Sequence, residues 1–204
     1  MATENFNIDY SFLEQSEKFT TTAYVPSCTA KSIANKNPVC AGKHVGDAIG
    51  KSGLTIGTGV DLGQMNEYDL KKLKLPDHLN KALKPYLTKK GADAQKLNLQ
   101  LSASDARLIS NKVKDLIISH IVKNYETDSG KQFNALNINI QTAIIDYFYQ
   151  FGQGAMYKEP HDDFWDYLIN AEWAKAVTYL EDRKDYKDRR TKEANLIKNS
   201  PEFK

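Results

Sequence analysis

The residue best placed for acid chemistry is Glu17, which follows Leu13 by four positions. If a helix reaches that far, the carboxyl of Glu17 shares the apolar face of Leu13. Burial on that face would raise its pKa, and a carboxyl kept protonated near neutral pH can donate a proton to a glycosidic oxygen. A solvated glutamate at a helix end is the simpler interpretation of this position taken alone.

A second set of polar residues lies on a glycine-rich strand. Period-two alternation places Thr55, Gly57, Gly59 and Asp61 on one face and apolar residues on the other. The glycines predict a bare surface on which a sugar ring could lie, with Thr55 and Asp61 holding water beside it. A regular strand would separate Thr55 from Asp61 by about 20 Å, so the two glycines must let the chain curl. The competing interpretations are ordinary strand packing for Thr55 and a helix N-cap for Asp61.

The elements around these residues predict a small sheet followed by helices. Residues 11–14 have the spacing of a capping box and predict a short first helix. The runs Thr20–Val25 and Leu54–Val60 are strand-like and are expected to pair as a hairpin. The polar segment 27–52 between them is interpreted as an insertion.

From about Asn66 the apolar residues recur at helical spacing, among them Phe148, Phe164 and Trp165, and Pro76 and Pro85 mark breaks. The chain is therefore predicted to be α+β and mainly helical, a single domain over 1–204. We expect two lobes with a cleft between them, a β-containing lobe over about 10–65 and a helical lobe over about 66–204.

Cys28 and Cys40 are the only cysteines, and they flank a polar segment. A disulfide between them is one expectation and two free thiols is the other. Two cysteines with scattered histidines do not make a zinc site, and we expect neither a metal nor another cofactor.

Composition excludes several classes of protein. The 28 basic and 26 acidic residues are spread along the chain, giving a net charge of +2 and no concentrated patch for nucleic acid. No apolar run suffices to cross a bilayer, and the start lacks the pattern of a secretory signal. Phosphate-loop, dinucleotide and Gly-x-Ser-x-Gly motifs are also missing.

Four separated motifs give the sequence a family resemblance. Glu17–Tyr24 followed by Leu54–Gly59 resembles the active-site hairpin of phage-type lysozymes. The later helices continue the likeness, in Tyr149–Gly152, in Trp173–Val177 and in Arg190–Lys192. The resemblance implies a lysozyme-like fold. It also implies a muramidase activity that cleaves the β-1,4 bond between N-acetylmuramic acid and N-acetylglucosamine.

One departure refines the resemblance. Phage lysozymes have an aspartate nine residues after the glutamate, where this chain has Pro26. Pesticin-like toxin domains are more similar, because their aspartate follows the strand threonine by six residues, as Asp61 follows Thr55. The resemblance implies Glu17 as general acid, Asp61 as the carboxylate that steadies or activates water, and Thr55 as the hydroxyl that positions it. Asp47, in the insertion, is a weaker candidate than Asp61 for this second carboxylate.

The resemblance also implies roles for two further residues and a stereochemical outcome of the reaction. Gln150 is expected to line the glycan groove, and Arg190 to hold Glu17 in place. A nearby arginine would lower the pKa of Glu17 and oppose the effect of burial. Inversion at the anomeric carbon is expected, which requires about 6.5 to 9.5 Å between the two carboxyls.

Two other functions stay open. A lytic transglycosylase cleaves the same bond with one glutamate, and a glycan-binding or spike module would bind without turnover. A pesticin-like domain could belong to a bacteriocin, a secretion-spike effector or a phage endolysin. We expect a monomer that is secreted or delivered, acts on peptidoglycan strands in the periplasm or cell wall, and in the first two contexts has a cognate immunity protein. No membrane insertion or nucleic-acid partner is expected.

Overall fold

The computed structural model describes residues 6–16, 19–34, 40–49 and 52–203 and has a mainly helical α+β fold. Three short strands form one antiparallel sheet in the order β1-β2-β3. The strands are β1 (Phe19–Tyr24), β2 (Thr55–Thr58) and β3 (Val60–Asp61). The expected pairing of the two strand-like runs is confirmed, since β1 and β2 are antiparallel neighbours.

The helices follow the predicted apolar periodicity. Asn66 caps the first helix after the sheet, and Pro76 and Pro85 stand at the breaks where they were expected. The described helices are α1 (Tyr10–Ser16), α2 (Ala30–Ala34), α3 (Glu67–Lys72), α4 (Asp77–Leu83), α5 (Gly91–Gln95), α6 (Ala103–Ser129), α7 (Ile138–Phe151), α8 (Asp162–Ile169), α9 (Trp173–Asp182) and α10 (Lys187–Lys198).

The chain divides into two compact units, one from residues 17–113 and one from residues 1–16 and 114–204. Helix α6 contributes to both, since the division falls within it. The sheet shares its unit with residues 66–113, which the sequence analysis assigned to the helical lobe.

In the sheet-containing unit, the insertion between β1 and β2 has structure of its own. Cys28 N donates to Asp47 O at 2.8 Å, and Gly46 N donates to Cys28 O at 2.9 Å. Ile49 N donates to Pro26 O at 2.8 Å. A disulfide joins Cys28 to Cys40, with 5.8 Å between their Cα atoms. Both cysteines are buried, so the insertion has a small core.

The other unit is built around one large apolar cluster of α7, α8, α9 and α10 with the second part of α6. Phe148, Phe164 and Trp165 are fully or almost fully buried at its centre, as the aromatic periodicity predicted. Helix α1 also packs on α7. The predicted start of α1 is wrong, because Asp9 accepts hydrogen bonds from the backbone of Ser11 and Phe12 and so caps the helix in place of Ser11.

In the described part of the chain, no helix combines the length and apolarity needed to cross a bilayer. Nor do the described residues group three or more His, Cys, Asp or Glu side chains in a way that could hold a metal ion.

Candidate active site

The β2–β3 hairpin brings two of the predicted site residues together. Thr55 pairs with Asp61 and Ile56 with Val60, so the chain reverses over three intervening residues. Gly57 and Gly59 have φ values of 63° and 74°, a region that favours glycine. The predicted curl is therefore confirmed. Directly opposed residues point to the same face of the sheet, with Cβ atoms typically about 4.5 to 5.5 Å apart.

The hydroxyl of Thr55 is buried but is not used by the fold. The residue is 5% exposed, and its Oγ1 makes no hydrogen bond to any described residue. A buried hydroxyl without a partner destabilises a fold, so such groups usually have a role other than packing. Neither the donor nor the acceptor positions of this hydroxyl are used by a described residue.

The carboxylate of Asp61 is held by backbone amides. Its Oδ1 accepts from Gly53 N at 3.0 Å and from Gly63 N at 2.8 Å, and it caps the short helical turn Leu62–Gln64. The N-cap interpretation is thus confirmed by the structure. Burial raises the pKa of Asp61, and hydrogen bonds from Gly53, Gly63 and Gln64 oppose that rise because they stabilise the ionised form.

Two glycines beneath the carboxylate allow this arrangement. A Cβ on Gly53 would lie 2.4 Å from Gly63 Cα and 2.4 Å from Lys89 O, closer than atoms can approach. Only glycine fits at such a crossing. The close contact lets both amides reach Asp61.

The predicted sugar floor is wrong at Gly57. A Cβ there would lie 2.1 Å from Ser110 Oγ and 2.8 Å from Ala106 O, so helix α6 occupies the space that the missing side chain leaves. Ser110 Oγ accepts from Thr58 N at 2.8 Å and donates to Ala106 O at 2.7 Å. Gly57 therefore serves to dock the hairpin on α6, a role that strand alternation alone could not reveal.

Gln150 and Arg190 form a second pair of predicted site residues. Arg190 Nη2 donates a short hydrogen bond to Gln150 Oε1. The guanidinium is fully buried, lies over the rings of Tyr147 and Phe151 at 4.5 and 5.2 Å, and pairs with Glu193 at 2.9 Å. Burial lowers the pKa of Arg190, and the carboxylate of Glu193 opposes that fall.

The remaining predicted residues are Glu17 and Asp47. Glu17 lies outside the described residues, and with it the contact predicted between Glu17 and Arg190. Asp47 is exposed in the insertion, where its Oδ2 accepts from His44 N at 2.8 Å.

Three supporting residues were missed by the sequence analysis. These residues are buried polar side chains on helices whose sequence pattern predicts apolar buried faces, and they are Ser110, Asp146 and Glu193. For Asp146 a signal existed, because an aspartate in the middle of the run Ile144–Phe148 needs a partner when it is buried. Nothing in the sequence shows that Arg189 is that partner.

Comparison with protein families decides the assignment. A family model described as "Pesticin: Bacterial toxin homologue of phage lysozyme, C-term" matches residues 40–174. The chain belongs to this family. Thr55, Asp61 and Gln150 lie inside the matched range, whereas Glu17 and Arg190 lie outside it. No curated protein matches the chain.

Membership in the pesticin family agrees with the α+β, lysozyme-like fold described above. It supports, in general terms, a lysozyme-like toxin domain with glycoside hydrolase activity on the bacterial cell wall.

Proposed function

We propose that this pesticin-family domain is a muramidase toxin that hydrolyses the β-1,4 bond between N-acetylmuramic acid and N-acetylglucosamine in peptidoglycan. The observation that carries the proposal is the pairing of Thr55 with Asp61 in a lysozyme-like fold. It puts a hydroxyl that bonds to no described residue beside a carboxylate held by backbone amides. Positioning and activating a water requires such a pair.

In the proposed reaction, Glu17 donates its proton to the bridging oxygen as the bond from that oxygen to the anomeric carbon breaks. Thr55 positions a water, whose oxygen forms the new bond to the anomeric carbon. The water gives one proton to Asp61, which then releases it to solvent, and solvent returns one proton to Glu17. The leaving sugar departs with a hydroxyl, and the configuration at the anomeric carbon inverts.

Asp61 suits the base role because its oxygen is fixed by Gly53 and Gly63. A base must be ionised before it accepts a proton, and amide donors favour the ionised form. The burial that raises its pKa also makes the ionised oxygen a better proton acceptor.

The test is mass analysis of the muropeptides released from purified cell walls by the wild type and by Glu17→Gln. We expect the wild type to release reducing-end N-acetylmuramic acid products and the variant to release none. Glu14→Gln, the same change one turn earlier in the sequence, is the matched control and should keep wild-type activity. Full release by Glu17→Gln would overturn the proposal, and binding of walls without any release by the wild type would favour a glycan-binding module.

A second candidate is a lytic transglycosylase, favoured by one observation. The carboxylate of Asp61 already accepts from two backbone amides and caps a helical turn, so its structural role does not depend on catalysis. An enzyme that uses Glu17 alone would give anhydro sugars as products. Full activity of Asp61→Asn together with anhydro products would establish this alternative.

The proposed setting is the periplasm or cell wall of a target bacterium, reached from a bacteriocin, a secretion spike or a phage. The disulfide between Cys28 and Cys40 fits an oxidising compartment. A producing cell exposed to its own muramidase would need a cognate immunity protein. Co-purification from the producing cell with a protein that blocks wall hydrolysis would test this.

A further inference from the structure

A line of buried polar side chains connects α10 to α7 in the helical unit. Arg189 Nε and Nη2 each donate to a different oxygen of Asp146 at 2.8 Å. Glu193 lies 3.9 Å from Arg189 and 2.9 Å from Arg190, measured between nitrogen and oxygen. Arg190 in turn donates to Gln150. The line therefore ends at Gln150, the residue that the lysozyme resemblance assigns to the glycan groove.

Glu193 is the carboxylate that pairs with Arg190. Both side chains are completely buried. Among the described residues, Gln150 accepts a hydrogen bond from the guanidinium and Glu193 pairs with it as an ion at 2.9 Å. Arg190 Nε and Nη1 and both carboxylate oxygens of Glu193 make no hydrogen bond to a described residue. Burial raises the pKa of Glu193 well above its ordinary value, and the charge of Arg190 opposes that rise.

The contact with Arg190 also fixes which way the amide of Gln150 is turned. Arginine has only donors, so the atom of Gln150 that faces it must be the carbonyl oxygen. The amide nitrogen Nε2 makes no hydrogen bond to a described residue, and Gln150 is only half-buried. The group left for a ligand is thus a donor.

We propose that Glu193 is a positioning residue which, through Arg190, sets the amide of Gln150 so that its Nε2 donates to an acceptor oxygen of the glycan. This inference rests on the proposed function, since it takes Gln150 to be a substrate contact. Hydroxyl, ring and acetamido oxygens of the sugar are the acceptors that such a donor can bind.

Glu193→Gln would leave the buried guanidinium of Arg190 without the carboxyl group that pairs with it. The side chain of Arg190 would then be free to turn toward another acceptor, and the amide of Gln150 would lose its fixed orientation. The effect of Glu193 on activity should therefore require the side chain of Gln150. If Glu193 only stabilised the fold, its loss would lower activity to the same extent whether or not Gln150 is present.

A double-mutant cycle on wall hydrolysis separates these two cases. Gln150→Glu keeps the acceptor for Arg190 but removes the donor, and should lower kcat/KM by about two- to tenfold, the value of one hydrogen bond. Glu193→Gln should cause a loss of similar size in the wild-type background and almost none when combined with Gln150→Ala. Glu181→Gln, a change to an exposed ion-paired glutamate on α9, should leave kcat/KM unchanged. Equal losses from Glu193→Gln in both backgrounds would overturn the proposal.

A second measurement does not need activity. In ¹⁵N NMR spectra, the side-chain NH₂ signals of Gln150 should shift in Glu193→Gln and not in Glu181→Gln. Titration with an N-acetylglucosamine trimer should shift the same signals in the wild type. If the wild type hydrolyses no wall, the proposed function fails while these shifts still support the orientation of the amide. Unchanged Gln150 signals in Glu193→Gln would overturn the inference whatever the activity.

Discussion

Thr55 and Asp61 face each other across the β2–β3 hairpin although six positions separate them in the sequence. Their roles in the fold differ. Asp61 is tied to two backbone amides, whereas the buried hydroxyl of Thr55 bonds to no described residue. The pair can therefore be taken apart by mutation, because one side chain supports the hairpin and the other does not.

Thr55→Val should separate activity from stability. Valine keeps the shape of threonine, a residue that is 5% exposed, and removes a hydroxyl that bonds to no described residue. We expect the free energy of unfolding to stay the same or to rise by up to about 1 kcal/mol. Wall clearing should fall by about a hundredfold because water loses its positioning group. Urea unfolding and turbidity assays measure the two effects, with the exposed Thr178→Val on α9 as control. Wild-type clearing by Thr55→Val would refute the role given to its hydroxyl.

Asp61→Asn should change how stability depends on pH. Burial raises the pKa of Asp61, so the folded state binds this proton more tightly than the unfolded state does. Its contribution to stability is full below the ordinary aspartate pKa of about 3.9 and is lost as the pH rises through the raised value. The asparagine variant does not titrate. Its free energy of unfolding should therefore increase relative to the wild type as the pH rises above about 3.9.

Asp105→Asn is a control for that measurement, because the pKa of Asp105 is shifted in the opposite direction to that of Asp61. A hydrogen bond from Ser102, together with one from His78, lowers the pKa of this exposed aspartate. Its contribution is present above the ordinary pKa and is lost as the pH falls. Relative to the wild type, this variant should lose stability as the pH rises. Urea unfolding across the pH range measures both variants, and parallel behaviour of the two would contradict the assignment for Asp61.

Much of the architecture could be predicted because it follows from local patterns. Apolar periodicity gave the helices after residue 66, and the prolines marked their breaks. The curl of the β2–β3 hairpin followed from a distance argument, since Thr55 and Asp61 could not meet on a straight strand. Each of these inferences needed only residues close together in sequence.

The rest depended on contacts between distant residues. In the sequence, Gly57 predicts a bare surface for a sugar. In the structure, Ser110, which is distant in sequence, occupies the space beside Gly57. Likewise, the pairing of Arg190 with Glu193 lies within one helix, but its connection to Gln150 needs α7 beside α10. Such meetings are set by tertiary packing, which alternation and periodicity do not encode.

Gly57→Ala should destabilise the sheet-containing unit strongly. The new Cβ would meet Ser110 Oγ at 2.1 Å and Ala106 O at 2.8 Å, and the φ of 63° is unfavourable for alanine. Left-handed strain and overpacking together should lower the free energy of unfolding by about 2 to 4 kcal/mol. Gly154→Ala is the matched control, because a Cβ there would meet nothing within 4 Å. Urea unfolding compares the two. Equal stabilities would mean that α6 does not pack against the hairpin as described.

Reduction of the disulfide should weaken the fold without removing the candidate site. The bridge joins Cys28 to Cys40 over a separation of 12 residues, and closing so short a loop stabilises a fold by about 2 to 3 kcal/mol. The contacts that hold Asp61 come from Gly53 and Gly63, outside that loop. Reductant should therefore lower the urea midpoint of the wild type while wall clearing persists well below the midpoint. A variant with both cysteines changed to serine should match the reduced wild type and ignore reductant. Complete loss of clearing in that variant, while it is still folded, would show that the insertion itself takes part in the site.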